Sequence, residues 1–288
     1  MLARTGYPPG VPCWIDVTQP DFDATTAFYG GLFDWRFEVR TPAGAPTRYA
    51  YARRDDSIVA GVGSPPSDAD PAGWKSYVWV ESADDTAAAV EANGGRVLTP
   101  PTDIPGAGRF AVGADPEGAV LGLWQPGENR GVQLVNAPGS WNFSELNTAD
   151  PDGAERFYGA VFGWARTPFE TGTGEKAWFW RLPGYGDFLA ERDPEIRERQ
   201  AADQAPGDFA DAVALLQPLA EGASAGGTAR WTVTFAVADA DAAFARALEL
   251  GGTEVTPLFD TEYTRMGTVL DPQGAELTLS EYRPPSST

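Results

Sequence analysis

The sequence contains no histidine, and among its 288 residues it has one cysteine and two methionines. Without histidine the chain lacks the usual general base and the commonest metal ligand of enzymes, which excludes a Ser/His/Asp triad, a Cys/His pair and any histidine-based metal site. The single cysteine, Cys13, excludes an internal disulfide and fits a reducing cytosol. No apolar run reaches the length of a membrane span, and the first residues lack the apolar stretch of a signal peptide. We therefore expect a cytoplasmic protein with no membrane partner.

Basic residues are also scarce, with 21 lysines and arginines against 41 aspartates and glutamates. The resulting net charge of −20 argues against a nucleic-acid partner, because phosphate neutralisation needs a basic face. An acidic surface suits either a cationic ligand or simple solubility. Apolar residues make up 42% of the chain and tryptophan occurs ten times, which indicates a folded protein with a substantial core.

One octapeptide occurs in both halves of the chain. Residues 28–35 have the sequence FYGGLFDW, and residues 157–164 have the sequence FYGAVFGW. An alternating segment and then an aspartate, Asp21 or Asp150, precede each copy. Aspartate caps helix amino termini, so a strand followed by a capped helix has been used twice. We therefore predict the fold from this internal repeat before any other feature of the sequence.

Each half contains the pattern strand, helix, three strands twice over. The second helix of each half is predicted to stop at a double glycine, Gly94-Gly95 in the first half and Gly251-Gly252 in the second. We predict an α+β fold of four βαβββ modules in two domains, residues 10–127 and residues 128–288. The sequence leaves open whether modules pair in chain order or exchange between the halves.

The second half is longer than the first by roughly 27 residues, judged from the distances between equivalent motifs. The pattern places this insertion at about residues 193–228 of the second domain. Within it, residues 209–216 are predicted to form a short amphipathic helix. The insertion is interpreted either as a lid over a cavity or as a surface elaboration at the domain edge.

These motifs resemble the vicinal oxygen chelate superfamily, which includes glyoxalases, bleomycin-resistance proteins and extradiol dioxygenases, and in particular its tandem two-domain actinobacterial members. The resemblance rests on the strand-Asp-helix-Phe-Tyr segment, on Leu250-Gly251-Gly252, and on the Asp-Pro-x-Gly turns at Asp115 and Asp271. It implies that each domain forms a curved mixed sheet, a cup with helices outside. The superfamily hosts isomerases, lyases, dioxygenases and drug-binding proteins. The resemblance therefore predicts the fold but does not identify the reaction.

Metal-dependent members of this superfamily carry their ligands at defined strand positions. The resemblance places Trp14, Lys75 and Gly122 there in the first domain, and Phe143, Thr232 and Thr278 in the second. None of these six residues suits a divalent metal, so we predict that both metal sites are lost and that the protein needs no cofactor.

Strand alternation predicts which side chains face each cup, because successive residues point to opposite faces of a sheet. The first cup is predicted to contain Trp14, Asp16, Lys75, Tyr77, Trp79, Val120 and Trp124. The second is predicted to contain Phe143, Glu145, Thr232, Thr234, Glu276 and Thr278. The first is an aromatic cage with one acid and one base, whereas the second is polar and acidic.

The candidate catalytic groups are Asp16 and Glu145, since a carboxyl group in a desolvated cup has a raised pKa and can act as acid or base. Alternatively each carboxylate is only structural and is held by hydrogen bonds to its neighbours, for example Asp16 by Lys75. Tyr77, or an arginine, could stabilise an oxyanion, and the candidate arginines are Arg109 and Arg265.

The three tryptophans of the first cup, Trp14, Trp79 and Trp124, could stack on a planar ligand or could be ordinary core. With Lys75 they are the substrate-binding candidates of the first cup, and Phe143, Thr232, Glu276 and Thr278 are those of the second. Glu145 and Glu276 alone are too few to hold a hard cation.

We therefore expect a metal-independent protein that binds a small aromatic or polycyclic metabolite, most consistent with isomerase, lyase or cyclase chemistry in secondary metabolism. The alternative is a non-catalytic protein that sequesters an antibiotic, as bleomycin-resistance relatives do. The expected partner is a small molecule, and the chain is expected to be a monomer with an internal pseudo-dimer or else a homodimer.

Overall fold

A computed structural model describes residues 4–65, 73–170, 176–202, 205, 208–219 and 229–283. The described chain forms two mixed sheets of eight strands each, together with six helices. Neither sheet closes into a barrel. No helix in the described residues is long and apolar enough to cross a membrane.

The first domain contains the strands and helices β1 (Pro12–Thr18), α1 (Phe22–Phe33), β2 (Arg36–Val39), β3 (Tyr49–Arg54), β4 (Ser57–Gly63), β5 (Gly73–Trp79), α2 (Ala83–Ala92), β6 (Arg96–Ile104), β7 (Gly108–Ala114) and β8 (Val120–Pro126). Its strand order is β2-β3-β4-β1-β5-β8-β7-β6. The two modules therefore meet where β1 and β5 run antiparallel at the centre of the sheet.

The second domain contains β9 (Ser140–Thr148), α3 (Pro151–Phe162), β10 (Ala165–Glu170), β11 (Lys176–Arg181), α4 (Tyr185–Ala190), α5 (Ile196–Ala202), β12 (Ala212–Pro218), β13 (Arg230–Ala236), α6 (Ala240–Glu249), β14 (Thr253–Asp260), β15 (Thr264–Leu270) and β16 (Glu276–Tyr282). Its strand order, β10-β11-β12-β9-β13-β16-β15-β14, repeats that of the first domain. Modules therefore pair in chain order, and none of the described strands is exchanged between the halves.

The two opening helices begin as the repeated motif predicts. The side chain of Asp21 accepts a hydrogen bond from the backbone N–H of Ala24, and Asp150 accepts one from Gly153. These bonds satisfy backbone donors that a helix leaves unpaired at its amino terminus. Gly163 ends α3 in the left-handed conformation with a φ of 74°, which glycine adopts without strain.

The extra segment of the second domain lies between β11 and β12, where the described residues are 182–202, 205 and 208–211, and the first domain has only a tight turn between β3 and β4. The prediction of a helix at residues 209–216 was wrong. Phe209–Asp211 form one turn of 3₁₀ helix, and β12 then runs parallel to β9, with Leu215 opposite Glu145. A short apolar run fits a buried strand as well as a helix, and here its pairing with β9 decided between them.

The two domains contact each other through the faces that oppose the cups. Phe33 of α1 packs on Phe235 of β13 with ring centroids 4.8 Å apart, and Trp74 lies 5.1 Å from the same ring. Between the sheets, the Oγ atoms of Ser76 and Ser144 are 2.5 Å apart. The convex faces are therefore buried together, and the two cups open away from this interface.

The tyrosine of each repeated octapeptide reaches across this interface. Tyr29 Oη donates to Asp271 Oδ2 at 2.9 Å, and Tyr158 Oη donates to Asp115 Oδ2 at 2.9 Å. Each tyrosine oxygen also accepts an indole N–H, at 2.8 and 2.9 Å, from Trp74 and Trp231 respectively. The tyrosine of each repeated octapeptide therefore binds the Asp-Pro turn of the other domain, in addition to packing behind the sheet of its own domain.

Candidate functional site

The cup of the second domain brings two carboxylates onto one face. Glu145 of β9 stands opposite Thr232 of β13. Thr234 and Thr278 are opposite each other on parallel strands, so Thr232 and Glu276, each two residues earlier, share that face as well. Glu145, Thr232 and Glu276 therefore lie side by side on the cup faces of β9, β13 and β16.

The Glu145 side chain faces this cup and is half-buried. Desolvation raises the pKa of its carboxyl group to about 7, and the negative charge of Glu276 adds to the rise. A hydrogen bond from Asn147 Nδ2 at 3.4 Å and the charge of Arg230 act in the opposite direction. A carboxyl group with such a pKa can take up and release a proton near neutral pH.

Arg230 places a guanidinium in this cup. Its guanidinium lies 3.3 Å from Glu276 Oε1, and both side chains are partly exposed. It stands opposite Asn147 in the pairing of β13 with β9. The cup therefore presents a carboxyl group, a carboxylate, an amide and a guanidinium to any ligand that enters it.

Phenylalanine rings form one wall of the second cup. Phe143 is two residues before Glu145 on the same strand face, and its ring centroid lies 6.4 Å from that of Phe209. Phe179 stands opposite Leu215 and lies 5.0 Å from Phe209 and 4.1 Å from Phe169. An apolar aromatic wall beside polar groups is the usual lining of a small-molecule site.

The cup of the first domain is closed by its own side chains. Asp16 is only 5% exposed, and its carboxylate accepts hydrogen bonds from Tyr49 Oη at 3.1 Å and Tyr77 Oη at 3.2 Å. Burial raises the pKa of all three groups. Tyr77 lies so close to β8 that a Cβ added to Gly122 would be 1.9 Å from its ring. We conclude that Asp16 and Tyr77 are engaged with each other rather than presented to a ligand.

The neighbours that hold Asp16 are Tyr49 and Tyr77, and Lys75 makes no direct bond to it. Lys75 and Asp16 stand opposite each other on β5 and β1, but Lys75 Nζ donates to Thr18 Oγ1 at 3.3 Å. The lysine charge acts on Asp16 only over a longer distance and partly offsets the effect of burial on its pKa.

The three tryptophans predicted to stack on a ligand are buried, with 3%, 6% and 4% of Trp14, Trp79 and Trp124 exposed. The Trp14 indole N–H donates to Tyr49, and that of Trp124 donates to the Asn129 carbonyl at 3.0 Å. Their burial favours the second of the two alternatives, that the three rings are ordinary core.

Arg109 and Arg265 lie on the sheet faces opposite the cups, which corrects the prediction that they stabilise an oxyanion. Arg109 makes a bidentate pair with Asp84 at the start of α2, with nitrogen to oxygen distances of 2.9 and 3.0 Å. Arg265 pairs in the same way with Asp241 of α6, at 2.8 Å for both contacts. The matching positions therefore reflect a repeated contact between strand and helix.

Family models match both halves of the chain. Residues 13–123 match the glyoxalase/bleomycin resistance protein/dioxygenase superfamily, and residues 144–280 match the glyoxalase-like domain. Anthracycline biosynthesis protein DnrV of Streptomyces peucetius is 34% identical, over 97% of this chain and 96% of its own length. The chain belongs to the glyoxalase/bleomycin resistance protein/dioxygenase superfamily.

Other members of the superfamily are similar over the whole chain. The putative glyoxylase CFP32 of Mycobacterium tuberculosis is 31% identical over 99% of both chains. The Mn(II)-bound glyoxalase of Novosphingobium aromaticivorans superposes with a TM-score of 0.57 at 15% identity, covering 97% of this chain and 83% of that one. The 2,3-dioxygenase LapB of Pseudomonas sp. KL28 gives 0.57 at 11% identity, covering 97% and 96%. At such identities the two structures show a shared fold only.

The residues of the two cups do not fit the metal centre common in this superfamily. The second cup offers the carboxylates Glu145 and Glu276, and its other central positions carry Phe143, Thr232 and Thr278, which are poor ligands for a divalent ion. Within the described chain, the acidic groups that lie close enough to share an ion are Asp239, Asp241 and Glu281, on the helix side of β16. Asp239 caps α6, Asp241 binds Arg265 and Glu281 binds Arg283.

Some residues of the second cup were not predicted from the sequence. Asn147 and Arg230 are each two positions from a predicted cup residue, so continued strand alternation would have found both. Phe179 and Phe209 could not be found in this way, because β11 and the inserted segment reach the cup only through tertiary pairing.

Proposed function

We propose that the second cup binds a small aromatic or polycyclic metabolite and that Glu145 transfers a proton on it without a metal ion. The observation that carries the proposal is the position of Glu145, desolvated and beside Glu276, with a pKa of about 7. Perturbed carboxyl groups in a concave site are favoured candidates for general acid and base catalysis.

The reaction we propose begins at a carbon next to a carbonyl group. Glu145 removes the proton, the C–H electron pair moves into the carbon framework, and negative charge develops on the carbonyl oxygen as an enolate. Arg230 supplies N–H donors on the same face, and such donors stabilise an oxyanion. Return of the proton to another position completes an isomerisation, whereas expulsion of a leaving group or attack on a second carbonyl completes a lyase or cyclase reaction.

The substrate class follows from the wall of the cup and from the relatives. Phe143, Phe179 and Phe209 form an apolar aromatic surface beside Glu145. Two relatives, DnrV of Streptomyces peucetius and DauV of Streptomyces sp., are named as anthracycline biosynthesis proteins. We therefore propose a polycyclic aromatic ketone of secondary metabolism as the substrate.

The test is solvent deuterium exchange followed by NMR. The protein is incubated in D₂O with polycyclic ketones that carry an acidic C–H beside a ring carbonyl, with and without exhaustive EDTA treatment. The proposal requires exchange or product formation that is unaffected by EDTA. Loss of turnover on chelation and its recovery with an added metal would overturn the metal-independent mechanism.

The net charge of −20 favours a second function, the sequestration of a cationic aromatic antibiotic. Titration of tryptophan fluorescence with such a compound, followed by recovery of the ligand, separates the two functions. Stoichiometric quenching with an unmodified ligand supports sequestration, and a chemically altered ligand supports catalysis.

The pH dependence of turnover should follow the ionisation of Glu145. A base must be ionised to accept a proton, so kcat/KM is expected to fall below a midpoint near pH 7. Glu276→Gln removes a neighbouring negative charge and should move that midpoint to lower pH. Arg230→Gln removes a neighbouring positive charge and should move it to higher pH. Equal midpoints in all three proteins would show that another group controls the rate.

Arg109→Gln and Arg265→Gln should leave turnover within about twofold of the wild-type value, because both guanidinium groups lie outside the cups. Surface substitutions away from a site have small effects as a rule. The same deuterium exchange assay measures this, with Arg230→Gln as the matched arginine inside the cup. A large loss of turnover in Arg109→Gln or in Arg265→Gln would show that the substituted arginine takes part in catalysis.

A further inference from the structure

Four hydroxyl groups lie side by side on the cup face of the second domain. Thr234 of β13 stands opposite Thr278 of β16, and Thr278 in turn stands opposite Thr268 of β15. Ser280 is two residues after Thr278 on the same strand and therefore shares its face. These four residues, here called the hydroxyl cluster, extend over three neighbouring strands of the sheet.

The hydroxyl cluster has more hydrogen-bonding groups than the protein uses. The Oγ1 atoms of Thr268 and Thr278 are 3.0 Å apart, so one hydroxyl donates to the other and the second keeps an unused proton. Thr234 and Ser280 are each 8% exposed, and neither hydroxyl has a hydrogen-bond partner among the described residues. Buried polar groups are almost always paired, so these hydroxyls mark positions where a ligand can supply the partner.

The unpaired hydroxyl groups face the cup and can be reached from it. Phe235, the neighbour of Thr234, packs against Trp74 of the other domain, so Thr234 points to the opposite face of the sheet. Within the described chain, the side-chain atoms that are both sealed from solvent and unpaired belong to four other residues. The hydroxyl groups of Thr234 and Ser280 are therefore accessible from the space of the cup.

The first domain carries large aromatic residues at two of the equivalent positions. Strand pairing places Tyr77 where the second domain has Thr234, and Trp124 where it has Ser280. The Tyr77 ring packs across Gly122, and Trp124 is only 4% exposed, so these two rings fill the first cup. Their replacement by threonine and serine leaves room in the second cup and puts hydroxyl groups beside that room.

The hydroxyl cluster begins close to the proposed catalytic group. Glu145 stands opposite Thr232, and Thr234 is two residues further along β13, about 7 Å away along the strand. A ring system whose reacting carbon lies at Glu145 therefore places a remote edge at the cluster. Hydroxyl groups are uncharged and both donate and accept hydrogen bonds, which suits phenolic hydroxyl and ring carbonyl oxygens.

We infer that the hydroxyl cluster is a specificity site that binds the oxygenated edge of the ring system in the second cup. Phenolic hydroxyl or carbonyl groups of the ligand hydrogen-bond with Thr234, Thr278 and Ser280. This inference rests on the proposed function, because it assigns the edge of the substrate that is remote from Glu145. The second cup accordingly prefers a hydroxylated polycyclic ketone to the same ketone without its hydroxyl group.

The test compares 6-hydroxy-1-tetralone with 1-tetralone, two fused-ring ketones that differ by one phenolic hydroxyl group remote from the acidic C–H. Dissociation constants are measured by ligand-observed NMR with the full-length protein. The wild type should bind the hydroxylated ketone about fivefold more tightly, the effect of one net hydrogen bond. Thr234→Val and Thr278→Val remove a hydroxyl and keep the branched shape of the side chain. The double variant should abolish the preference and keep the affinity for 1-tetralone within about twofold.

Thr102→Val is the matched control, because Thr102 is exposed on the edge strand β6 of the first domain, and this variant should keep the full preference. Glu145→Gln should lose deuterium exchange and keep the preference as well. Equal affinity or no binding of the two ketones in the wild type, or an unchanged preference in the double variant, overturns the specificity site. A preference that depends on the two threonines, in a protein that shows no exchange on either ketone, keeps the specificity site and overturns the catalytic proposal.

Discussion

Replacing Glu145 with glutamine is expected to reduce turnover by a factor of about 10² to 10⁴, the usual contribution of a general base. Glutamine keeps the shape of the side chain and one acceptor oxygen but cannot take up a proton, so the loss measures proton transfer rather than packing. The measurement is the rate of deuterium exchange at saturating substrate, with KM determined in parallel. An effect on kcat with little change in KM is the expected pattern.

Asp16→Asn is the matched control, since Asp16 occupies the equivalent strand position in the closed first cup. It should keep turnover within about threefold, because Tyr49 and Tyr77 already bind its carboxylate. If Asp16→Asn removed activity and Glu145→Gln did not, the site would have to be moved to the first domain.

Glu145→Gln should also stabilise the protein at neutral and alkaline pH. The pKa of Glu145 rises from 4.5 to about 7 on folding, so ionisation is harder in the folded state than in the unfolded chain. Ionised Glu145 therefore lowers the free energy of unfolding of the wild type. This destabilisation is absent below pH 4.5, grows between pH 4.5 and pH 7, and reaches at most about 3 kcal/mol above pH 7. Urea unfolding at pH 5 and pH 8 checks this, since the gain from the variant should be larger at pH 8.

Asp115→Ala and Asp271→Ala are each expected to lower the free energy of unfolding by about 3 kcal/mol, the size of a broken buried charged network. Asp115 accepts from the backbone N–H groups of Glu117 and Ala119 and from Tyr158 of the other domain. Alanine leaves these donors without an acceptor and breaks one of the two symmetric tyrosine–aspartate contacts between the domains. Urea unfolding followed by tryptophan fluorescence measures the loss.

Asp56→Ala provides the control for these two variants, because Asp56 is exposed and its substitution should change stability by less than about 0.5 kcal/mol. Tyr158→Phe separates the contributions within the network, since it removes only the contact between domains and leaves the Asp-Pro turn bonded. A loss below 1 kcal/mol in both aspartate variants would show that these turns do not hold the domains together.

The sequence was a good guide to the strands and helices because each carries its own periodicity and caps. The helix starts after Asp21 and Asp150, and the resemblance to the superfamily, are confirmed. Alternation also placed Glu145 and Glu276 on one face, since the strand period of two needs no tertiary information. The same rule placed Asp16 and Tyr77 in the first cup, but it could not show that their side chains fill it.

Residues 209–216 show where local pattern fails. Their apolar spacing fits a helix, yet pairing with β9 makes most of them a strand, and strand pairing gains hydrogen bonds that a short isolated helix lacks. The prediction that Arg109 and Arg265 stabilise an oxyanion was wrong for a related reason. Their matching positions were visible, but their orientation depended on aspartates of α2 and α6 that lie far from them in sequence.

By itself the sequence determined the tandem architecture and the lack of suitable metal ligands at the expected positions, because repeats, caps and residue chemistry are local properties of a chain. Only the tertiary structure decided which cup is open, because openness depends on how side chains from several strands fill a common space. It also decided the role of the repeated octapeptide, whose tyrosines meet their aspartates only after the convex faces of the two domains are buried together.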